Sequence, residues 1–456
     1  MRNVLLVLVV VTVGARGLDA QDLPPGLPPQ LVHPEEPPGA PRVITLQDAI
    51  ERARQNDAQF QAIAAEAEIA REDRVQAKAS LLPALSNSTQ FLGNSANGVN
   101  PNGRFVSLDG VQMYREWIVL RQELSANTFL RTPLQRARAA ELAAAARREV
   151  AARGLVVTVT RAYYALVSAE RHYATAQQAV QQSSRFLAVT QQQERAGQVA
   201  RADVVKAEIQ FRQQSQGFQE ATLAVANARL ALAVLLFPTL DENFAVVDEV
   251  SAAPVLPPFP DVRAMAARGN PDLRAADEAL RAAEQDVRVA RNAFFPSLLV
   301  DAVYGIEANE FALHSAIAAQ PEYGVLPNLG YFITLNLSVP LWDWGGLRSK
   351  LHQTETRARQ ARVTLSQTQR QLVSNLYSMY NEVVTARAAV DNLQRTAELA
   401  GESLRLVNLR YQAGEATALE VVDAQNTMVQ ARNAADDAVG RYRVALAALQ
   451  TVTGSF

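Results

Sequence analysis

Residues 372–411, LVSNLYSMYNEVVTARAAVDNLQRTAELAGESLRLVNLRY, decide how this chain folds. Leu372, Leu376, Met379, Val383, Ala386, Val390, Leu393, Ala397, Ala400, Leu404, Val407 and Tyr411 recur at alternating spacings of four and three without a slip. That is a heptad seam on a helix, and a seven-residue period held this long implies left-handed supercoiling. Moved back 217 positions, the same places hold Leu155, Val159, Ala162, Leu166, Ala169, Tyr173, Ala176, Val180, Ser183, Leu187, Thr190 and Glu194, mostly apolar again. Proline is absent between Pro133 and Pro238 and after Pro340, so each helix can run unbroken to an Ala-Gly pair. About 65 residues at 1.5 Å each reach roughly 100 Å. Gly401 is a local weakness of about 1 kcal/mol against alanine. On the seam alone, a long dimeric coiled coil and a tunnel wall of many helices are equal readings; its small alanines suit the close approach that a wall needs.

The shift of 217 is one sign of a duplication that covers residues 44–250 and 261–456, joined by a linker at 251–260. It places Leu130-Arg131 on Leu347-Arg348, Tyr163 on Tyr380, Ala196-Gly197 on Ala413-Gly414, Val204-Val205 on Val421-Val422 and Leu232 on Leu449. Nearer the start of each unit the shift is 213, with Leu81-Leu82-Pro83 on Phe294-Phe295-Pro296. The four extra residues belong in a loop between the two blocks.

Each unit begins with an Ala/Arg/Glu-rich stretch, residues 45–80 and 261–292, that reads as a helix ended by Pro83 or Pro296. The period then changes to two. Tyr331, Ile333, Leu335, Leu337, Val339 and Leu341 alternate with Thr334, Asn336 and Ser338, a half-wet strand of about ten residues, long enough to cross a bilayer at a tilt. The matching reading gives strands at about 83–93, 114–124, 297–305 and 331–341, with Asn/Gly-rich loops at 94–113 and 306–329 between partners. In lipid a spanning sheet must close on itself, and closed barrels need about eight strands or more. Four strands per chain therefore imply an oligomer: two copies supply eight strands with a filled interior, three supply twelve with room for a lumen. A transport role favours three.

The remaining composition narrows the function. Lys+Arg number 44 against 46 Asp+Glu, a net charge of −2, which gives no electrostatic case for nucleic acid. No cysteine is present, which removes disulfides, thiolate metal sites and a sulfur-linked lipid. His33, His172, His314 and His352 lie far apart, with no metal-ligand spacing. No nucleophile–base motif and no phosphate-binding glycine loop appears, so neither an enzyme nor a cofactor is expected. The first 20 residues read as a secretory signal: Arg2, an apolar run from Val4 to Val13 too short to span a bilayer, then small residues that allow cleavage after Ala15 or Ala20. No later segment reads as a transmembrane helix. Residues 21–43 are a Pro-rich leader expected to lack a core.

Two passages add a resemblance. Ser338-Val339-Pro340-Leu341-Trp342-Asp343-Trp344-Gly345-Gly346 leads from strand to long helix, and residues 410–425, RYQAGEATALEVVDAQ, form the helix turn. With the duplication and the signal, these make the chain, from about 44 to 453, similar to the TolC-type outer-membrane efflux proteins. The resemblance implies a mostly α fold with a membrane β-barrel: a homotrimer whose twelve-stranded barrel continues into a left-handed coiled-coil α-barrel crossing the periplasm. It implies contact with outer-membrane lipid, docking to a periplasmic adaptor protein and an inner-membrane pump, and passage of small solutes such as drugs or metal ions. The adaptor-contacting tips correspond to Ala196-Gly197-Gln198 and Ala413-Gly414-Glu415, where Gln198 and Glu415 replace a frequent hydrophobe. A gate tyrosine matches Tyr411, and acidic pore positions match Asp203, Glu420 and Asp423. The arginine that partners the gate in some members has no match, since Ala416 stands there, so the closed state is held differently or less tightly.

Glu420 and Asp423 lie one helical turn apart and share a face. They read either as solvated surface acids or, in three copies, as a six-carboxylate ring that favours cations and raises some of its own pKa values. Both are expected to tolerate alanine without harm to the helix. The competing class is a periplasmic or surface coiled-coil structural protein.

Overall fold

The computed structural model describes residues 42–94, 111–239, 243–248, 256–308, 311–314 and 328–454. The expected signal, most of the leader, most of the inter-strand loops and much of the linker lie outside these residues. A mostly helical chain carries one four-stranded sheet, and the two units of the duplication are built alike.

The first unit runs β1 (Arg42–Ile44), α1 (Leu46–Asn56), α2 (Ala58–Ala79), β2 (Ala84–Asn94), β3 (Val111–Leu124), a turn of helix α3 (Ala126–Phe129), α4 (Thr132–Arg195), α5 (Arg201–Leu236) and β4 (Phe244–Val246). The second runs α6 (Phe259–Gly269), α7 (Pro271–Asn292), β5 (Ser297–Ala308), β6 (Leu329–Ser338), α8 (Gly346–Gln412) and α9 (Ala418–Thr453). The long helices α4 and α8 have 64 and 67 residues. Every seam position, from Leu372 to Tyr411 and from Leu155 to Glu194, is buried or half-buried, so the heptad reading identifies the packed face.

The structure corrects four expectations. The opening helices are each broken in two, at Asp57 and at Asn270, again 213 positions apart. Asp57 accepts from Phe60 N–H at 2.7 Å and Asn270 from Leu273 N–H at 3.0 Å, so each side chain caps a new helix. The last strand stops at Ser338, leaving Val339 and Leu341 beyond it. The leader is not wholly without structure, because Arg42 to Ile44 pair in parallel with Phe244 to Val246. Finally, α4 and α5 each hold a window apolar enough to cross a bilayer by length and composition. Within these two helices Val159, Leu166 and Leu232 are fully buried, together with Tyr163.

Near the break between α1 and α2, a core gathers Ile44, Val159, Tyr163, Leu166, Leu232, Leu236 and Phe244. Tyr163 ties the short β pair to α4: its hydroxyl accepts from Val247 N–H at 3.0 Å and reaches the Val247 and Ile44 carbonyls at 2.6 and 3.2 Å. In the second unit Tyr380 holds Pro257 O at 3.2 Å.

The sheet order is β2-β3-β5-β6, antiparallel throughout, with β2 and β6 as free edges. Its register separates two faces. One carries Leu85, Phe91, Ile118, Leu120, Tyr304, Tyr331, Ile333, Leu335 and Leu337, all exposed, and among them Glu116, whose carboxylate accepts from Asn87 and Thr89. The other carries Ser86, Ser88, Gln90, Arg115, Arg121, Asp301, Glu307, Thr334 and Asn336, with Arg121 paired to Asp301 at 2.7 Å and Arg115 to Glu307 at 2.8 Å. In the short link between β6 and α8, Asp343 accepts from Gly345 N–H at 3.0 Å and from Leu347 N–H, which starts the helix.

Candidate tunnel tips and constriction

The far ends of the long helices turn on Gly197 and Gly414. In the first turn Gly197 N–H bonds Glu194 O at 2.9 Å and Gln198 N–H bonds Gln193 O at 2.8 Å; in the second Gly414 N–H bonds Tyr411 O at 3.1 Å and Glu415 N–H bonds Arg410 O at 2.8 Å. This is the Schellman pattern, which places the glycine in left-handed space, here at φ 71° and 78°. A Cβ on either glycine would meet nothing within 4 Å, so the requirement is conformational rather than spatial.

The tips differ in how the next helix begins. At the second, Thr417 and Glu420 form a capping box: Glu420 N–H donates to Thr417 Oγ1 at 3.3 Å, and Thr417 N–H donates to Glu420 Oε1 at 3.1 Å. Arg410 reaches back across the turn, to Glu420 Oε2 at 3.4 Å and to Glu415 O at 3.0 Å. At the first, Ala200 occupies the cap position and offers no side-chain bond, while Asp203 lies in the first turn of α5. Arg201 and Glu194 face each other there at 3.6 Å.

Glu420 is therefore engaged within its own chain. The Thr417 backbone N–H, then the Thr417 hydroxyl and Arg410, hold its carboxyl below the ordinary value despite some desolvation, opposite to the direction expected for a ring of like charges. The expectation that alanine is harmless at 420 is corrected, because that substitution removes half of the capping box. Asp423, one turn on, is exposed and has no ion pair among the described residues.

Tyr411 is buried where α8 meets α4. Its ring packs on Phe186 at 5.1 Å between centroids, and its hydroxyl lies 3.3 Å from Thr190 Oγ1. Thr190 spends its own proton on Phe186 O at 2.8 Å, so Tyr411 is the donor. Ala207, Ala418 and Val421 complete this cluster, in which Tyr411 joins the α4–α5 hairpin to the α8–α9 hairpin. Sequence reasoning missed Thr417, Arg410, Phe186 and Thr190. The Thr-x-x-Glu spacing was a legible signal for the first; the others needed the packing.

A sheet with one largely apolar and one charged face, drawn into two long helical hairpins, defines the outer-membrane channel class of fold. The chain belongs to the outer membrane efflux protein family, whose model matches residues 49–236 and 262–455, one segment in each unit. That family is one of outer-membrane channels rather than enzymes. The chain is 27% identical to outer membrane protein OprJ of Pseudomonas aeruginosa over 282 residues, 60% of this chain and 55% of OprJ, so the match spans about half of that relative. It is 24% identical to the outer membrane protein TolC of Vibrio cholerae over 409 residues, 89% of each chain. Among solved structures the Campylobacter jejuni CmeC outer membrane channel superposes with a TM-score of 0.78 at 17% identity, covering 90% of this chain and 85% of that one, a likeness of fold.

Proposed function

We propose that this protein is the outer-membrane exit duct of a tripartite export system, a homotrimer that passively passes small solutes such as drugs or metal ions. In this reading an inner-membrane pump supplies the solute, a periplasmic adaptor bridges pump and duct, and no chemical step occurs on the chain. The observation that carries it is the sheet: four strands, open at both edges, largely apolar on one face and charged on the other. An isolated sheet of this kind cannot reside in lipid with its edge groups unpaired.

The order of elements supports closure by head-to-tail repetition. From one side to the other the chain runs β2, β3, β5, β6 in the sheet, α2, α4, α7, α8 beside it, and α5, α4, α9, α8 towards the tips. One lateral boundary is thus β2, α2 and α5; the other is β6 and α8. Near the tips α8 exposes Leu399, Leu406 and Leu409, and α5 exposes Val205 and Ile209, an apolar stripe for each side of a contact between copies. Three copies give twelve strands and twelve helical segments around one lumen.

Within that assembly Ala196-Gly197-Gln198 and Ala413-Gly414-Glu415 form the adaptor-facing rim, Tyr411 governs the movement of one hairpin against the other, and Asp203, Glu420 and Asp423 line the constriction. The test is direct: native mass measurement of the detergent-extracted protein together with conductance in planar bilayers. A trimer that opens ohmic pores supports the reading, and a stable monomer or a soluble non-conducting rod overturns it.

A further inference from the structure

On the charged face of the sheet, Trp117 and Phe332 stand on strands that are not neighbours. Trp117 is on β3 opposite Gly305, Phe332 is on β6 opposite Val303, and β5 runs between them. Their rings nevertheless meet edge-on, with centroids 5.7 Å apart at 82°. Strands two apart are separated by about 9–10 Å, so the rings lean over β5. Val303, on the strand between them, is only 6% exposed. Gly305 keeps the space open, and the backbone needs it as well, since a Cβ there would overlap the Glu116 carbonyl oxygen.

The pair is not sealed from solvent. Phe332 is 45% exposed and Trp117 half-buried. The Arg115 guanidinium lies 5.0 Å from the Trp117 ring centroid and is itself fixed by Glu307 at 2.8 Å and Gln90 at 3.0 Å. An aromatic step thus rises from a surface of serines, amides and ion pairs interspersed with single aliphatic side chains such as Leu92 and Val119. Aromatic rings prefer edge-on and offset-stacked partners to face-to-face ones, and such contacts add to simple burial.

We propose that Trp117 and Phe332, with Arg115 orienting the indole, form a contact site for planar aromatic solutes inside the barrel. The site rests on the duct reading for its place in the lumen, where three copies would project six rings. It gives the passage a chemical preference that the acidic positions at the tips do not supply: flat, polarisable solutes dwell on the wall, while compact ions of equal charge pass without contact.

The full-length protein with Trp342→Phe and Trp344→Phe retains Trp117 as its sole tryptophan, because the chain has three. Ethidium titrated into the detergent-solubilised assembly should quench Trp117 emission saturably, and tetraethylammonium should not compete. Adding Phe332→Leu should raise the ethidium dissociation constant about two- to tenfold, as loss of one aromatic contact predicts. Quenching that stays linear in ethidium, that tetraethylammonium relieves, or that Phe332→Leu leaves unchanged overturns the site and leaves the pair as a brace across β5. Conductance of the same protein without ethidium is measured separately, so a failure of the duct reading is distinguishable from a failure of the site.

Discussion

Arg410 and Glu420 face each other across the second tip, Nη1 to Oε2 at 3.4 Å, so the last turn of α8 is held to the first turn of α9 by charge as well as by the chain. The pair is half-exposed, and screened pairs of this kind stabilise little. Its consequence is electrostatic. Each copy that brings Glu420 to the constriction brings a neutralising guanidinium with it, while Asp423 contributes its charge without such a partner.

Cation selectivity should therefore depend more on Asp423 than on Glu420. In bilayers under a salt gradient, Asp423→Asn is expected to move the reversal potential further towards zero than Glu420→Gln, and Arg410→Gln should move it the other way. Equal effects from both acids, or none from either, would show that these carboxylates are ordinary solvated charges.

The second tip should loosen in acid. Because Glu420 titrates below its ordinary 4.5, its contribution is complete above that value and disappears as the pH falls through the lower folded value. A spin label on the tip should gain mobility between about pH 5 and 3 in the wild type, following the glutamate range. Glu420→Gln, which keeps the capping geometry without the charge, should flatten that response. Thr417→Ala should loosen the tip at every pH, at a cost of about 1 kcal/mol in helix stability.

The tip glycines should be replaceable only at the expense of the turn. Left-handed backbone costs other residues roughly 1–2 kcal/mol, and both positions share it. Gly197→Val with Gly414→Val should abolish complementation of drug resistance in a deletion host while heat-modifiable migration of the assembled barrel persists. Full complementation by the double variant would remove these turns from the docking rim.

In the sheet, Gly305→Ala forces the Cβ into the Glu116 carbonyl. Overpacking of this kind costs about 1–3 kcal/mol. The variant should lose its heat-resistant oligomer band at a lower temperature than wild type, and an unchanged transition would show that β3 and β5 can part without penalty.

The duplicated tyrosines give a comparison within one chain. Tyr163→Phe strips a buried hydroxyl from the Val247 amide and from two carbonyls, and should cost about 1–3 kcal/mol. Tyr380→Phe loses one bond to an exposed carbonyl and should cost less. Thermal unfolding of the two variants tests the order.

Much of the fold was legible because it rests on long periodic patterns. The seam from Leu372 to Tyr411 gave the packed face residue by residue, and the alternation from Tyr331 to Leu337 separated the two sides of β6. The misses are short features decided by one side chain or by distant partners. Asp57 ends one helix and starts the next within an alanine-rich run that shows no change of period; Asn270 followed by Pro271 was the readable counterpart, a cap with proline at the first helical position. The pairing of Arg42–Ile44 with Phe244–Val246 spans three residues and some 200 positions, too little pattern for either strand to announce. At the candidate site the acids were pointed out by the family resemblance, but their inequality was not. It depends on Arg410 folding back over Gly414 and on Thr417 capping α9, and both are matters of geometry rather than composition.

The free edge of β6 has a meaning for the newborn protein. Between Leu329 and Ser338 it holds no proline, no lysine and no other charge, while Tyr331, Ile333, Leu335 and Leu337 stand exposed beside its unpaired backbone. Natural sheets usually blunt such an edge with charge, proline or a bulge, because a bare one templates aggregation. Here blunting would also forbid the pairing that closes a barrel. A chain left with this edge open is thus a polymerisation hazard by construction, for as long as the edge stays unpaired.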